Sequence, residues 1–251
     1  MPARIIDGVQ LSNRFREQIK ARVEAVRAAG GHVRLDAVLV DSGDNGARVY
    51  AENQAKTCQA MGIEYRLHRL PQGAGYDDIA GRILLLSTDD SVTAMMLHLP
   101  LPEGVDTHRI QALIHHEKDV EGVNPANIGN IVYGRSSLAP CTALAVVKML
   151  ESVHGVDGSR PFLAGKMAVV VGAGDVVGKP IAVLLMRQEA TVISCNKHTP
   201  MLPDLTRSAD ILVAAAGVPG LISAEMVRPG AIVIDVGVSR VTGPDGKTRT
   251  V

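Results

Sequence analysis

The chain has 251 residues, with 26 Lys plus Arg balancing 26 Asp plus Glu, so no net field favours nucleic acid or an anionic membrane surface. Hydrophobic residues make up 46% and aromatics only 2%, and at this length one large or two modest domains with aliphatic cores are expected. The opening MPARIIDGVQ lacks a signal-peptide apolar run, no later stretch is long enough to span a bilayer, and Cys58, Cys141 and Cys195 are too scattered for a disulfide frame or zinc site. A cytoplasmic protein without a metal is the expectation.

Apolar residues at 11, 15, 19, 23 and 26 predict a helix over 11–28 with one buried stripe, ended by Gly30-Gly31. A strand over 33–40 follows, then a turn over 41–46 rich in Asp, Ser and Gly. A second helix is expected over 47–61, a short strand over 63–67, and a helix over 77–86 capped by an aspartate. Residues 92–99 read as a buried strand closed by Pro100-Leu101-Pro102. The stretch 118–140, with Gly122, Pro125, Gly129, Gly134 and Pro140, reads as irregular, a domain junction and cleft lining. A helix over 142–153 and a Gly/Asp/Ser loop lead to the second half. Strands alternating with helices imply parallel βαβ units. The fold expected is α/β with two lobes, 1–140 and 141–251, the second Rossmann-like, and a substrate held between them.

The second lobe carries the strongest local signal. Met167 to Val171 is apolar and mostly β-branched, a buried parallel strand, and it runs into Gly172-Ala173-Gly174 and then a helical segment from Val177. Strand, glycine turn and helix together aim backbone N–H groups at a phosphate. Gly172 permits the tight turn, Gly174 a close approach of the pyrophosphate, and Gly178 close packing of helix on strand. The spacing is one residue longer than the commonest dinucleotide fingerprint, and the flanking strand and helix make the assignment. After the next strand, over 190–194, an NAD site usually presents a carboxylate, but this chain presents Cys195, Asn196, Lys197 and His198. Lys197 either meets a 2′-phosphate or sits in a solvated loop, so NADP is preferred with NAD possible. The expected cofactor contacts are Gly172, Ala173, Gly174, Val177, Gly178, Lys197 and Val238. Further parallel strands are expected over 211–214 and 231–236.

In the first lobe, Tyr50 and Gln54 are four apart and share a helix face. His98 ends a strand, where α/β sheets place ligands. Each has a packing alternative: Tyr50 as a half-buried core residue, His98 as a structural histidine, and residues 118–122 as a charged turn.

Together these stretches resemble the bifunctional methylenetetrahydrofolate dehydrogenase/cyclohydrolase family over essentially the whole chain. The resemblance rests on Tyr50 with Lys56, Gly62-Ile63, the run from Leu97 to Pro102, Lys118 to Gly122, Pro140-Cys141-Thr142, Gly172 to Pro180, and Val233 to Gly237. It implies a homodimer with NAD(P) on the second lobe and a tetrahydrofolate derivative stacked near Tyr50. It also implies catalytic roles for Tyr50, Gln54 and His98, and substrate contacts at Tyr50, Glu121 and Thr142. Four departures stand out. Gln54 replaces the family's acid/base lysine, His98 its partner glutamine, Glu121 the pterin-binding aspartate, and Ala143 a proline. The family pattern also leads one to expect about 30 further residues after Val251. Hydride transfer needs alignment rather than a proton relay, whereas hydrolysis of the methenyl bridge needs proton exchange that an amide cannot perform. The expectation is an NADP-dependent dehydrogenase with cyclohydrolase weak or lost. The alternatives are a bifunctional enzyme using His98, or a retasked nucleotide-binding homologue.

Overall fold

In the computed structural model, runs of β-branched residues become parallel strands and the amphipathic segments between them become helices. The structure describes residues 3–41, 45–135, 138–156, 161–237, 240–242 and 248–250. The turn residues 42–44, the loop residues 157–160 and Val238 lie outside them. The chain divides into two compact units, Met1–Gly129 and Asn130–Val251.

The first unit begins with α1 (Gly8–Ala28), β1 (Arg34–Val40), α2 (Asn45–Ala60), β2 (Glu64–Leu70), α3 (Tyr76–Thr88), β3 (Ala94–Leu97) and α4 (Thr107–Gln111). Its sheet is parallel with order β2-β1-β3. The central strand β1 is buried at six of its seven positions, as a strand covered on both faces must be. Val38 and Val40 pack with Met95, Leu97, Ile79 and Ile83 on the α3 side. On the opposite side α2 lies against β2 and β1 and buries Ala51 and Cys58. Several boundaries differ from expectation, and two of them have a local reason. The cap of α3 is Gly75, and Asp78 reaches back to accept its N–H at 2.9 Å. The strand expected from 92 starts two residues later because the Val92 N–H turns to the Asp89 carbonyl.

The stretch expected to be irregular contains a helix, α5 (Pro125–Tyr133), which spans the division between units. Asn124 starts it by accepting the Ala126 N–H at 2.7 Å, and Pro125 takes the first helical position, where its missing N–H costs nothing. Asp119 anchors this corner from below, accepting from the Asn124 N–H at 2.7 Å and from the Asn127 side chain at 2.9 Å.

The second unit continues with α6 (Cys141–His154), β4 (Met167–Val171), α7 (Gly178–Arg187), β5 (Thr191–Cys195), α8 (Leu202–Ser208), β6 (Ile211–Ala214) and β7 (Ile232–Asp235). A short antiparallel pair follows, β8 (Arg240–Thr242) with β9 (Thr248–Thr250). The four-stranded sheet is parallel with order β5-β4-β6-β7. Residues of β4 alternate between two cores. Ala168 and Val170 face α6 and α7, among Leu150, Ile181 and Leu185, while Val169 and Val171 face Leu202, Leu205 and Ile222. Because β5 and β6 flank β4 on opposite sides, the chain reverses its direction of growth at the carboxyl end of β4. In doubly wound sheets that point is where ligands enter. Among the described residues no helix is long and apolar enough to cross a membrane.

Candidate functional site

The glycine turn lies at this switch point. The Gly172 N–H donates to the Cys195 carbonyl at 2.9 Å, tying the end of β4 to the end of β5. Gly172 has φ of +116°, and a Cβ there would stand 2.8 Å from the Ala216 nitrogen, so no other residue fits. A Cβ on Gly178 would overlap the Gly172 carbonyl oxygen and approach its carbon to 2.7 Å. The absent side chain therefore lets α7 start against the turn. Gly174 differs: nothing lies within 4 Å of its Cβ position, and the residue is exposed. The open space is a cradle in which a phosphate could approach the backbone. Residues 175–177 form a turn before the helix, with Val177 at the N-cap and making no side-chain cap, and the Lys179 N–H donates to the Gly174 carbonyl at 3.0 Å.

Lys197 follows directly. The turn after β5 is held by the Asn196 side chain accepting the His198 N–H at 2.9 Å and by Thr199 Oγ1 accepting the Asn196 N–H at 2.9 Å. This leaves Lys197 and His198 exposed at the tip. The same sheet edge carries a part the sequence reading did not single out, the loop after β6. Ala216, Gly217, Val218 and Pro219 line a pocket of about 260 Å³ with Val171 and Asp235. A strand running into the loop Gly217-Val218-Pro219-Gly220 is the available signal. Thr142 is exposed in the first turn of α6, one residue before the buried Ala143.

In the first unit, α2 aligns Tyr50, Gln54 and Cys58 on one stripe. Tyr50 is 59% exposed, and its ring meets the His98 ring edge-on with centroids 5.7 Å apart. Gln54 buries its side-chain oxygen, and no described residue donates to it. A buried acceptor without a donor is costly. His98, just past β3, is 3% exposed and continues the ladder by donating its N–H to the Val38 carbonyl. Glu121 is also drawn to this strand, accepting the Leu97 N–H at 3.2 Å. Burial pushes its carboxyl up, with the Leu97 N–H partly opposing and nearby Asp119 adding to the rise. The residue not foreseen is Tyr65 on β2, whose hydroxyl lies 3.3 Å from Nε2 of His98. A lone tyrosine on a short strand reads as ordinary β propensity, and its partner is 33 residues away.

Burial holds the His98 imidazole below its ordinary value. The unfolded chain therefore takes up a proton at pH values where the folded chain does not, so stability is complete above the ordinary imidazole range and falls on acidification through it. Thermal melting of wild type is expected to fall more steeply than that of His98→Gln between neutral and mildly acidic pH. Equal slopes would contradict the assignment. Glu121 has the opposite sign, since a raised carboxyl favours the fold while protonated and that contribution is lost as pH rises through its folded value.

Comparison with known proteins bears on both units. Residues 6–121 match the tetrahydrofolate dehydrogenase/cyclohydrolase catalytic domain, and residues 140–251 match the NAD(P)-binding domain of the same proteins. The bifunctional protein FolD of Bordetella avium is 43% identical over 98% of this chain and 84% of its own. The crystal structure of the bifunctional FolD dehydrogenase/cyclohydrolase from Campylobacter jejuni superposes with a TM-score of 0.89 at 33% identity, over 98% of this chain and 84% of that one. The Trypanosoma brucei enzyme, solved with NADP cofactor and inhibitor, gives 0.88 at 30% identity over 100% and 85%. Two domain matches in the right order and relatives aligned from end to end of the described fold leave one conclusion: the chain belongs to the tetrahydrofolate dehydrogenase/cyclohydrolase family.

Proposed function

We propose that this protein oxidises 5,10-methylenetetrahydrofolate to 5,10-methenyltetrahydrofolate with NADP, and that its cyclohydrolase step is weak or lost. The observation that carries the reading is Gln54, a neutral amide on the α2 stripe beside Tyr50, with its oxygen buried and no donor among the described residues. When bound, NADP supplies the ring that takes the hydride. The substrate's methylene carbon loses that hydride and becomes the carbon of a cation shared by two nitrogens. Tyr50 offers an exposed ring face for stacking, Gln54 an acceptor for a donor of the substrate, and Glu121 a carboxyl for the pterin edge. Thr142 is a further contact. A pocket of neutral groups suits a developing cation better than an ammonium would.

Hydrolysis asks for more. A water–carbon bond forms, one proton goes to a base, the carbon–nitrogen bond breaks, and the nitrogen takes a proton. Gln54 neither accepts nor releases a proton near neutral pH, and general acid–base help is worth about 10²–10⁴-fold. A second reading keeps both activities with His98 as the shuttle, favoured by its neutral, buried ring beside Tyr50.

For the cofactor, Gly172, Ala173, Gly174, Val177 and Gly178 form the pyrophosphate turn, and Lys197 meets the 2′-phosphate. Lys197→Glu is expected to weaken NADP about tenfold and to leave NAD within about threefold, because an exposed charge contributes on the order of 1 kcal/mol. Equal losses for both cofactors would refute the Lys197 role. The reading extends to a homodimer in the cytoplasm, and the zero net charge supports a small-molecule substrate rather than nucleic acid. Its test is reduction of NADP by methylenetetrahydrofolate. Absence of reduction with NADP and with NAD, in protein that binds NADP, would refute it.

A further inference from the structure

We propose that Tyr65 is a positioning residue that donates its hydroxyl proton to Nε2 of His98, fixes the imidazole as the Nδ1–H tautomer and so keeps His98 out of proton transfer in the folate pocket. The inference rests on the folate reading above and decides between its two forms.

The geometry is a closed set of neutral groups. The Tyr65 oxygen is 3.3 Å from Nε2, and the Tyr50 ring abuts the imidazole with the two planes 79° apart. Together they set both the position and the tilt of the ring. A neutral imidazole has one lone pair and one N–H, and which nitrogen bears the proton is set by the partner of the other. A phenol is the better donor of this pair, so Nε2 becomes the acceptor and Nδ1 carries the hydrogen. The ring's lone pair is then occupied. A base that deprotonates water needs a free lone pair, and Nδ1–H can only donate.

The phenol does not relay the proton onward. Burial, with Cys58 and Tyr50 adding to it, pushes Tyr65 up to about 12, so the hydroxyl keeps its hydrogen through the neutral range. Burial of His98 disfavours the imidazolium that a shuttle would have to form. The groups facing this pair are Tyr50 and Cys58 from α2, with Glu121 bonded to the N–H of Leu97, the residue before His98. Glu121 is itself committed to the Leu97 N–H. Thus a histidine sits where a proton shuttle is wanted, and a tyrosine from the far strand of the sheet blocks it.

Three measurements test this. In full-chain protein labelled with ¹⁵N-histidine, the His98 nitrogens are expected to report Nδ1–H; an Nε2–H signature would overturn the proposal. Tyr65→Phe frees Nε2, and hydrolysis of the methenyl substrate is expected to rise about tenfold or more, within the range of general-base effects. Adding His98→Gln is expected to remove that gain. Hydrolysis unchanged in folded Tyr65→Phe would overturn the proposal, as would a gain that survives His98→Gln. A loss of the hydrogen bond to the neutral ring also moves the His98 titration upward in Tyr65→Phe; a downward move means that the imidazole was the donor. The tautomer is read on wild type without substrate. It therefore stands or falls apart from the folate reading, whose own failure is an absence of NADP reduction.

Discussion

Gly178→Ala and Gly174→Ala are expected to fail in different ways, although both change one glycine of the same turn by one methyl group. The Gly178 Cβ would overlap the Gly172 carbonyl oxygen, a backbone atom that cannot rotate away, so α7 must move off β4. Overpacking of this kind costs about 1–3 kcal/mol, a fall of roughly 2–12 °C in Tm. NADP binding should fall with it, because the turn is displaced. At Gly174 nothing lies within 4 Å of the added carbon, so stability should change by less than about 0.5 kcal/mol. If the pyrophosphate approaches that backbone, NADP nevertheless weakens by about tenfold, or ~1.4 kcal/mol. Melting curves with and without NADP, read beside a cofactor titration, separate the cases. Full NADP affinity in Gly174→Ala would move the pyrophosphate away from this residue.

Gln54→Lys is the second large effect, and it should be a gain. The Gln54 oxygen is buried on the α2 stripe, so an amine placed there loses part of its hydration and shifts towards the neutral base form. Methenyl hydrolysis is expected to rise about 10²-fold or more, the ordinary worth of a placed acid/base group. Hydride transfer should slow, because whatever fraction of the amine remains charged opposes the developing cation. Unchanged hydrolysis would mean that the barrier is not the missing lysine.

The parts of the fold readable in advance were those fixed by one local cause. β4 and β6 were expected at the positions where they occur, because runs such as Met167 to Val171 are uniformly apolar and end at glycine or at a change of composition. α5 is hidden in the sequence because Pro125 and Gly129 read as breakers. Asn124 and Pro125 in fact start the helix, and Ile128 and Ile131 supply its apolar face. The shorter β3 depended on the Val92 N–H turning to Asp89, a choice that no periodicity records. At the site, Gly172 and Gly178 were legible because their spacing encodes a close approach of backbone. Tyr65 was not, because its meaning lies in a contact across the sheet to His98. The buried oxygen of Gln54 likewise appears only once α2 is packed.

The central claim is that oxidation persists while hydrolysis does not. The direct measurement mixes the protein with methylenetetrahydrofolate and NADP and follows reduced nicotinamide and the methenyl absorbance together. The account predicts that both signals rise together and that the methenyl species then decays no faster than in buffer alone. Rapid decay of the methenyl species, in step with its formation, would contradict it.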